Sequence, residues 1–275
     1  MAGSVHINVL KEFSKMKLNE LVELLENAFS VLEGEKQLID LKGRVLVVGD
    51  THGDVISSVA AFKMEADVYL FLGDYVDRGP YQAANINFLL SRKTEEPEKV
   101  ILLRGNHESP LMNYEYGFYW EIVQEYGSEI YELYAKLFSL MPYAAIINSS
   151  VFAVHGGIAR GIHSARDVLR LVKGDVLPSD KRAFELLWND PDESIDSFAS
   201  NPRGGGSQLF GRVALESFLE KSGLETVTRA HEYFPNGLHV YFDGKLISVF
   251  SCRYYPSTQP KAVLYNGRNW EILQL

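Results

Sequence analysis

Apolar and polar positions change character along this chain, and the changes mark its elements. Over residues 18–32, Leu18, Leu21, Val22, Leu25, Ala28, Phe29 and Leu32 recur three and four apart, the period of one helix face, with Gly34 as the stop. Beyond that point the period disappears. Short unbroken apolar runs at 44–48, 68–72 and 100–103 alternate with helical stretches near 55–65 and 81–91. Unbroken runs of this length fit strands buried on both faces, and strand–helix–strand order predicts parallel pairing through crossovers. Residues 111–140 carry aromatic and helix-forming residues and predict helices, whereas YAAIINSSVFAVHGG predicts two strands joined through residues 148–150. Helical patterns return near 165–172, 181–188 and 212–221. The C-terminal part alternates instead: HVYFDGKLISVF and AVLYNGRNWEIL are broken by Asp-Gly and Asn-Gly, which are hairpin signals. The expected architecture is α/β with mixed sheets, one domain over 1–275, its first 43 residues a helical segment packed on the core. Glycines 204–206 read as a loop within that domain rather than a linker.

The polar ends of the apolar runs carry the candidate chemistry. The first three runs finish in GDTHGD, GDYVDRG and GNHES, a fourth in FAVHGG and a fifth in VTRAHE. Ligands of open α/β sheets bind beyond the carboxyl ends of the strands, so Asp50, His52, Asp74, Asn106, His155 and His231 are expected to converge there. A lone Gly-Asp is usually a turn and a lone histidine usually structural; the ordered recurrence after apolar runs is what points to a site. Two carboxylates, an amide oxygen and three imidazoles form a mixed oxygen and nitrogen set that suits manganese, iron or zinc better than an all-oxygen magnesium or calcium cage. They exceed the needs of one four-coordinate ion and fit two ions sharing a carboxylate, a pair that can clamp a phosphoryl group. Two carboxylates about 4 Å apart would otherwise repel by roughly 4 kcal/mol at an effective dielectric near 20. Two divalent ions, Asp50, Asp74 and a bridging hydroxide sum to about +1, and Arg78 and Arg203 add to it. His6, His163 and His239 lack such a setting and read as structural or surface residues.

Composition narrows the alternatives. The 275 residues are 46% hydrophobic, with 27 basic against 36 acidic side chains and a net charge of −9. That is enough chain for a sizeable core, and the acidic balance argues against a nucleic-acid partner. The single cysteine, Cys252, excludes an intrachain disulfide framework and fits a reducing compartment. A cysteine-nucleophile phosphatase would need an arginine six positions later, where Thr258 stands. No run reaches the roughly 18 apolar residues of a membrane span, and the N-terminus lacks the pattern of a signal peptide. The expectation is a soluble cytoplasmic protein with neither membrane nor nucleic acid as partner.

GDTHG, GDYVDRG and GNHES resemble the signature blocks of the metal-dependent phosphoprotein phosphatases, the eukaryotic-type serine/threonine phosphatases within the calcineurin-like metallophosphoesterases. The likeness continues through HGGI (155–158), LLWNDP (186–191), NPRGG (201–205), RAHE (229–232) and SVFSCRYY (248–255). It implies a four-layer α/β/β/α metallophosphoesterase fold, a central β-sandwich of mixed sheets flanked by helices. It also implies hydrolysis of phosphoprotein monoesters by direct attack of a hydroxide held between two divalent metals, with Mn2+ expected and iron or zinc as alternatives. Residue by residue, Asp50 and His52 would bind one metal, Asp74 would bridge, and Asn106, His155 and His231 would bind the other. His107 would be the general acid, with Asp77 orienting it. Arg78, Arg203 and Asn106 would contact the phosphate, Tyr255 would sit at the pocket rim and Asp190 would line the pocket. Phosphoproteins are the implied partners, and regulatory subunits are left open. Two departures stand out: the family's usual Ser-Ala-Pro-Asn-Tyr-Cys reads SCRYYP here, putting Pro256 where a toxin-reactive cysteine is usual, and the run between Arg203 and Phe210-Gly211 is about one residue longer than the family's. Hydrolysis of diadenosine polyphosphates or other phosphoesters, and a non-catalytic metal-binding scaffold, are the competing readings.

Overall fold

The computed structural model describes the backbone of residues 2–275 and side chains from residue 7 onward; His6 falls outside those side chains. Its elements run α1 (Ala2–Phe13), α2 (Leu18–Gly34), β1 (Leu38–Leu41), β2 (Val45–Val48), α3 (Val55–Ala61), β3 (Val68–Phe71), α4 (Gln82–Glu95) and β4 (Val100–Leu102). They continue with α5 (Pro110–Tyr116), α6 (Phe118–Tyr126), α7 (Ser128–Leu140), β5 (Ala144–Ile147), β6 (Val151–Val154), a 3-10 turn at Ala165–Arg170 and α8 (Lys181–Trp188). The remainder is β7 (Asp190–Pro191), β8 (Phe198–Ser200), β9 (Gln208–Phe210), α9 (Arg212–Ser222), β10 (Thr226–Arg229), β11 (Leu238–Tyr241), β12 (Leu246–Val249), β13 (Lys261–Tyr265) and β14 (Trp270–Gln274).

These strands form a five-stranded sheet, β14-β13-β2-β3-β4, and a six-stranded sheet, β1-β5-β6-β10-β12-β11. The apolar runs explain the stacking. In β2, Val45 and Val47 face the other sheet while Leu46 and Val48 face helices, so all four are buried. Between the sheets lie Leu70, Leu72, Ile101, Ala145, Ile147, Ala153 and Val249. The outer face of the five-stranded sheet packs on α1, α2, α4, α6 and α7, where Leu21, Leu25, Leu32, Leu89, Phe118 and Phe138 are buried. The outer face of the six-stranded sheet, with Ile146, Phe152 and Val227, packs on Leu186 and Leu187 of α8 and Leu215 and Phe218 of α9. The four-layer α/β/β/α architecture is thus present.

The registers place the strand ends side by side. Val48 pairs with Phe71, and Phe71 with Leu102, all parallel, so the turns after β2, β3 and β4 emerge together. In the other sheet β6 pairs parallel with β10, Ala153 opposite Thr228, and Ala230 N–H donates to His155 O at 2.9 Å. The expected hairpins also form: β5 with β6, β11 with β12, and β13 with β14 are antiparallel.

Several elements differ from the sequence reading. Strand β1 falls within the first 43 residues, which read as helical; it has a mixed burial pattern over four residues, too short to show a period. Strands β7, β8 and β9 make a small third sheet, again of pieces too short to read. The helical pattern near 165–172 is a six-residue 3-10 turn, opened by a capping box between Ser164 and Asp167. His163 and His239 are exposed, the latter stacked on Phe234.

Because Leu25 is fully buried between the N-terminal helices and the sheet, Leu25→Ala is expected to lower stability by about 2–5 kcal/mol. Urea unfolding measures this; a loss below about 1 kcal/mol would show that α2 adds little to the core.

Candidate metal centre

Gly49, Gly73 and Gly105 end the three parallel strands, and close approach explains them. A Cβ at Gly105 would lie 2.3 Å from Asp74 Oδ1, and one at Gly73 would lie 2.5 Å from Gly105 Cα. The turns beyond them are stitched together: Thr51 and His52 N–H both donate to Asp74 O, at 3.0 and 2.8 Å, and Gly53 N–H to Tyr75 O at 2.8 Å. His52, Asp74, Asp77, Arg78 and His231 all hold left-handed backbone conformations, with φ between 41° and 70°. Each costs on the order of 1–3 kcal/mol for such residues, which clusters strain at this one place.

All six expected ligands meet there. Asp74 Oδ1 lies 3.3 Å from His155 Nε2 and accepts from His107 N–H at 3.0 Å; its Oδ2 lies 3.6 Å from His52 Nε2. Asp50 Oδ2 is 3.9 Å from His52 Nε2, and its Oδ1 accepts from His231 N–H at 2.9 Å. Asn106 Oδ1 is 2.9 Å from both His155 Nε2 and His231 Nδ1. Two potential metal clusters result, His52–Asp74–His107 and Asp74–His155–His231, with Asp74 in both.

The donor set fits cations. His52 Nδ1 faces Val76 O at 2.9 Å and His155 Nδ1 faces Leu72 O at 3.0 Å, so each ring donates there and turns a bare Nε2 lone pair inward. The His155 lone pair then confronts the oxygens of Asn106 and Asp74 with no proton between them. His231 Nε2 is buried without a partner. Burial pushes Asp50 up to about 6 and Asp74 well above the usual carboxylate range, the latter also by Asp50 and Glu108. Burial holds His52, His107, His155 and His231 well below the usual imidazole range. Burial thus disfavours both the charged carboxylates and the charged imidazoles, and divalent cations would satisfy carboxylates and neutral imidazoles together.

His107 has a different setting from the ligands. Its Nδ1 lies 2.8 Å from Asp77 Oδ2, which leaves Nε2 facing the pocket, 4.0 Å from Asp74 Oδ2. Asp77 is held by Asn113 Nδ2 at 3.0 Å and Phe118 N–H at 3.0 Å, although burial pushes its carboxyl up to about 6. The pocket over these groups has a volume of about 430 Å³, and Arg78, Arg203, Trp188, Tyr116 and Tyr255 are on its wall. Arg78 lies over the Tyr116 ring at 4.8 Å and donates to Tyr255 Oη at 2.6 Å. Asp190, expected on the wall, sits behind it: its Oδ2 accepts from Arg203 Nε at 2.6 Å and its Oδ1 from the buried Arg229 at 2.9 Å.

Two supports escaped the sequence reading. The buried Glu108 carboxylate accepts from Asp74, Tyr75 and Gly105 N–H at 2.7–2.9 Å, locking the β3 and β4 turns to each other. The signal was its place next to His107 in GNHE. Arg253, in the divergent SCRYYP stretch, reaches Asp54 at 3.0 Å, where Asp54 caps α3. That ion pair anchors the rim loop bearing Tyr255.

Comparison with known proteins agrees with this geometry. The calcineurin-like phosphoesterase model matches residues 43–235. The chain belongs to that family. Within the calcineurin-like phosphoesterases it stands with the eukaryotic-type serine/threonine phosphatases. It is 33% identical over 260 residues to the serine/threonine-protein phosphatase 4 catalytic subunit of Kluyveromyces lactis, covering 87% of this chain and 84% of that one. Against the Saccharomyces cerevisiae subunit of the same name it is 35% identical over 234 residues, covering 83% and 75%. A solved Saccharomyces cerevisiae serine/threonine phosphatase, described as similar to human phosphatase PP5, superposes with a TM-score of 0.87 at 27% identity, covering 94% and 90%. A cold-active protein-tyrosine phosphatase of Shewanella shares the fold at a TM-score of 0.58 and 16% identity, covering 89% and 84%.

Glu108→Gln would set an amide N–H2 against at least one of the three backbone donors, since Tyr75 N–H meets one carboxylate oxygen and Asp74 and Gly105 N–H the other. It is expected to weaken Mn2+ binding by about 10–100-fold, as loss of a support behind a ligand typically does. Calorimetric titration of metal-stripped protein checks this, and affinity within twofold of wild type would contradict the locking role.

Proposed function

We propose that residues 1–275 form one catalytic domain, a serine/threonine phosphoprotein phosphatase. Asp74 shared between two histidine-bearing clusters, with the His107–Asp77 pair over the same pocket, carries this reading. Asp50 and His52 would hold one metal, Asn106, His155 and His231 the other, and Asp74 both. Mn2+ is the proposed occupant, with iron or zinc compatible with the same donors. When bound, the metals supply positive charge for the phosphoryl oxygens and activation of water.

The chain's own groups supply the rest. Arg78 and Arg203 bind the phosphate oxygens, joined by the Asn106 side chain; Asp190 and Tyr255 aim the two guanidiniums, and planar guanidinium suits a tetrahedral anion. A serine or threonine oxygen leaves poorly as an alkoxide. His107 therefore holds a proton at Nε2 and gives it to that oxygen, a contribution of typically about 10²–10⁴-fold. The Asp77 carboxylate fixes Nδ1–H and offsets the imidazolium charge, opposing the burial that otherwise disfavours it. Asn113 and Phe118 N–H keep Asp77 ionised. Phe250 and Tyr233 pack edge-on and stacked against Tyr255, at 4.9 and 5.3 Å, and shield the pocket's flank from water. Among the described residues no helix is long and apolar enough to cross a membrane; a cytoplasmic location is part of the proposal.

Turnover of a phosphoserine peptide, measured beside diadenosine tetraphosphate with Mn2+ present, tests the reading: the peptide is expected to be the better substrate by at least about tenfold, about 1.4 kcal/mol of selectivity. Preference for the dinucleotide would overturn it. His107→Asn is expected to lose about 10²–10⁴-fold on the alkyl phosphate of phosphoserine and far less on an activated aryl phosphate, whose leaving group needs no proton. Equal losses on both would deny His107 its role. Arg203→Ala is expected to raise KM for both substrates, read by initial-rate kinetics.

A further inference from the structure

Helix α5 forms one wall of the catalytic pocket. Met112, Glu115 and Tyr116 all line that pocket, and spacings of three and four residues put them on one helical face. The helix is fixed relative to the reacting groups. Asn113 Nδ2 donates to Asp77 Oδ2 at 3.0 Å and to His107 O at 2.7 Å, and Ser109 caps the first turn. Whatever Glu115 meets, it therefore meets at a set place beside the His107–Asp77 pair.

Glu115 differs from the other two acids of the pocket. Asp50 and Asp74 are buried among the histidines, whereas Glu115 is exposed. Among the described residues no ion pair includes it. The helix neighbours placed to supply one are Leu111, Met112, Phe118 and Tyr119, and the pocket's arginines are engaged elsewhere, Arg78 by Tyr255 and Arg203 by Asp190. Nor does the charge serve the helix. Glu115 stands in the last turn of α5, where the carbonyl end disfavours an anion. An exposed glutamate on a helix is usually only a solvated residue; this one faces the pocket that receives the substrate, and its charge is uncompensated there.

We propose that Glu115 is a specificity residue, pairing with a lysine or arginine of the phosphoprotein substrate within about three residues of the phosphorylated one. A pocket of about 430 Å³ is roughly 9 Å across, about three residues of extended chain. With the phosphate on Arg78 and Arg203, the flanking residues of the substrate come within reach of Glu115. The wall also suits the shape of a basic side chain: Met112 and Tyr116 cover its methylene stem while Glu115 takes the charged head. Arg78, over the Tyr116 ring, is offset by the phosphate it holds. An acidic residue at the same place is repelled. This inference rests on the protein-substrate reading above and adds a sequence preference to it.

The test uses the full chain with Mn2+ and phosphoserine peptides of otherwise Gly, Ser and Ala, in which one Lys or one Glu is walked from three residues before to three after the phosphoserine. At one or more positions the wild-type protein is expected to favour Lys over Glu in kcat/KM by about three- to tenfold at low salt, the order for one exposed ion pair gained and one repulsion removed. Glu115→Gln is expected to remove most of that preference, and Glu115→Lys to invert it at the same position. Both changes are at an exposed side chain. No preference at any position in the wild-type protein overturns the proposal and leaves the phosphatase reading standing. A preference that survives both substitutions belongs to the overall acidity of the chain and overturns it too. Turnover of an aryl phosphate with none of any peptide fails the protein-substrate reading and the proposal with it.

Discussion

The Asp74 carboxylate is the point from which the rest of the site is ordered. One oxygen faces His155 and takes the His107 backbone N–H; the other faces His52 and His107. Asp50 and Asn106 bring further oxygens to the same buried space, which the inward-facing nitrogens of His52 and His155 share. Such an arrangement is unfavourable unless cations occupy it, because buried like charges and unpaired lone pairs keep their full desolvation penalty. The strain around it follows. Left-handed non-glycine residues, glycines too close to neighbours for a Cβ and a carboxylate spent entirely on backbone N–H groups all serve to hold ligands where isolated turns would not leave them.

Around that centre an acidic protein gathers two arginines. The chain carries −9 overall, yet the pocket presents Arg78 and Arg203 beside Asp50, His52, Asp74, Asn106 and His231. Each guanidinium is aimed by a partner that leaves part of its donor fork free: Tyr255 for Arg78, Asp190 for Arg203. Asp190 is itself gripped by Arg229, which is fully buried and also contacts Gly156 O at 2.5 Å and Glu232 at 2.7 Å. The two arginines thus stand at the end of braced networks from opposite sheets. The divergent SCRYYP stretch shows how a rim can change sequence and keep its place. An ion pair from Arg253 to the cap of α3 ties the loop down, and aromatic packing on Phe250 and Tyr233 sets Tyr255.

Long, uniform features were legible in the chain. The unbroken apolar runs at β2, β3 and β4 could not be amphipathic helices, and the Asp-Gly and Asn-Gly breaks marked the C-terminal hairpins, because these patterns follow from local geometry alone. The polar residues at the run ends could be read as ligands because strand ends have a fixed direction. By contrast, β1 and the small sheet of β7, β8 and β9 lacked enough residues for a period to emerge, and their conformations come from the surfaces they meet. Glu108 and Arg229 stood inside the motifs GNHE and RAHE, but an acid or arginine inside a motif does not say which backbone it grips.

The sequence by itself determined which polar side chains stand at the strand ends, their order and the buried strands that present them; these depend on side-chain chemistry and on the period-two geometry of single strands. Only the tertiary structure decided that His155 and His231, from one sheet, share the space of Asp50, Asp74 and Asn106, from the other. It also decided that Asp190 stands behind Arg203, and that one face of α5 becomes a wall of the catalytic pocket. These are outcomes of how two twisted sheets stack and in which register, and stacking is a property of distant segments meeting, which no local pattern encodes.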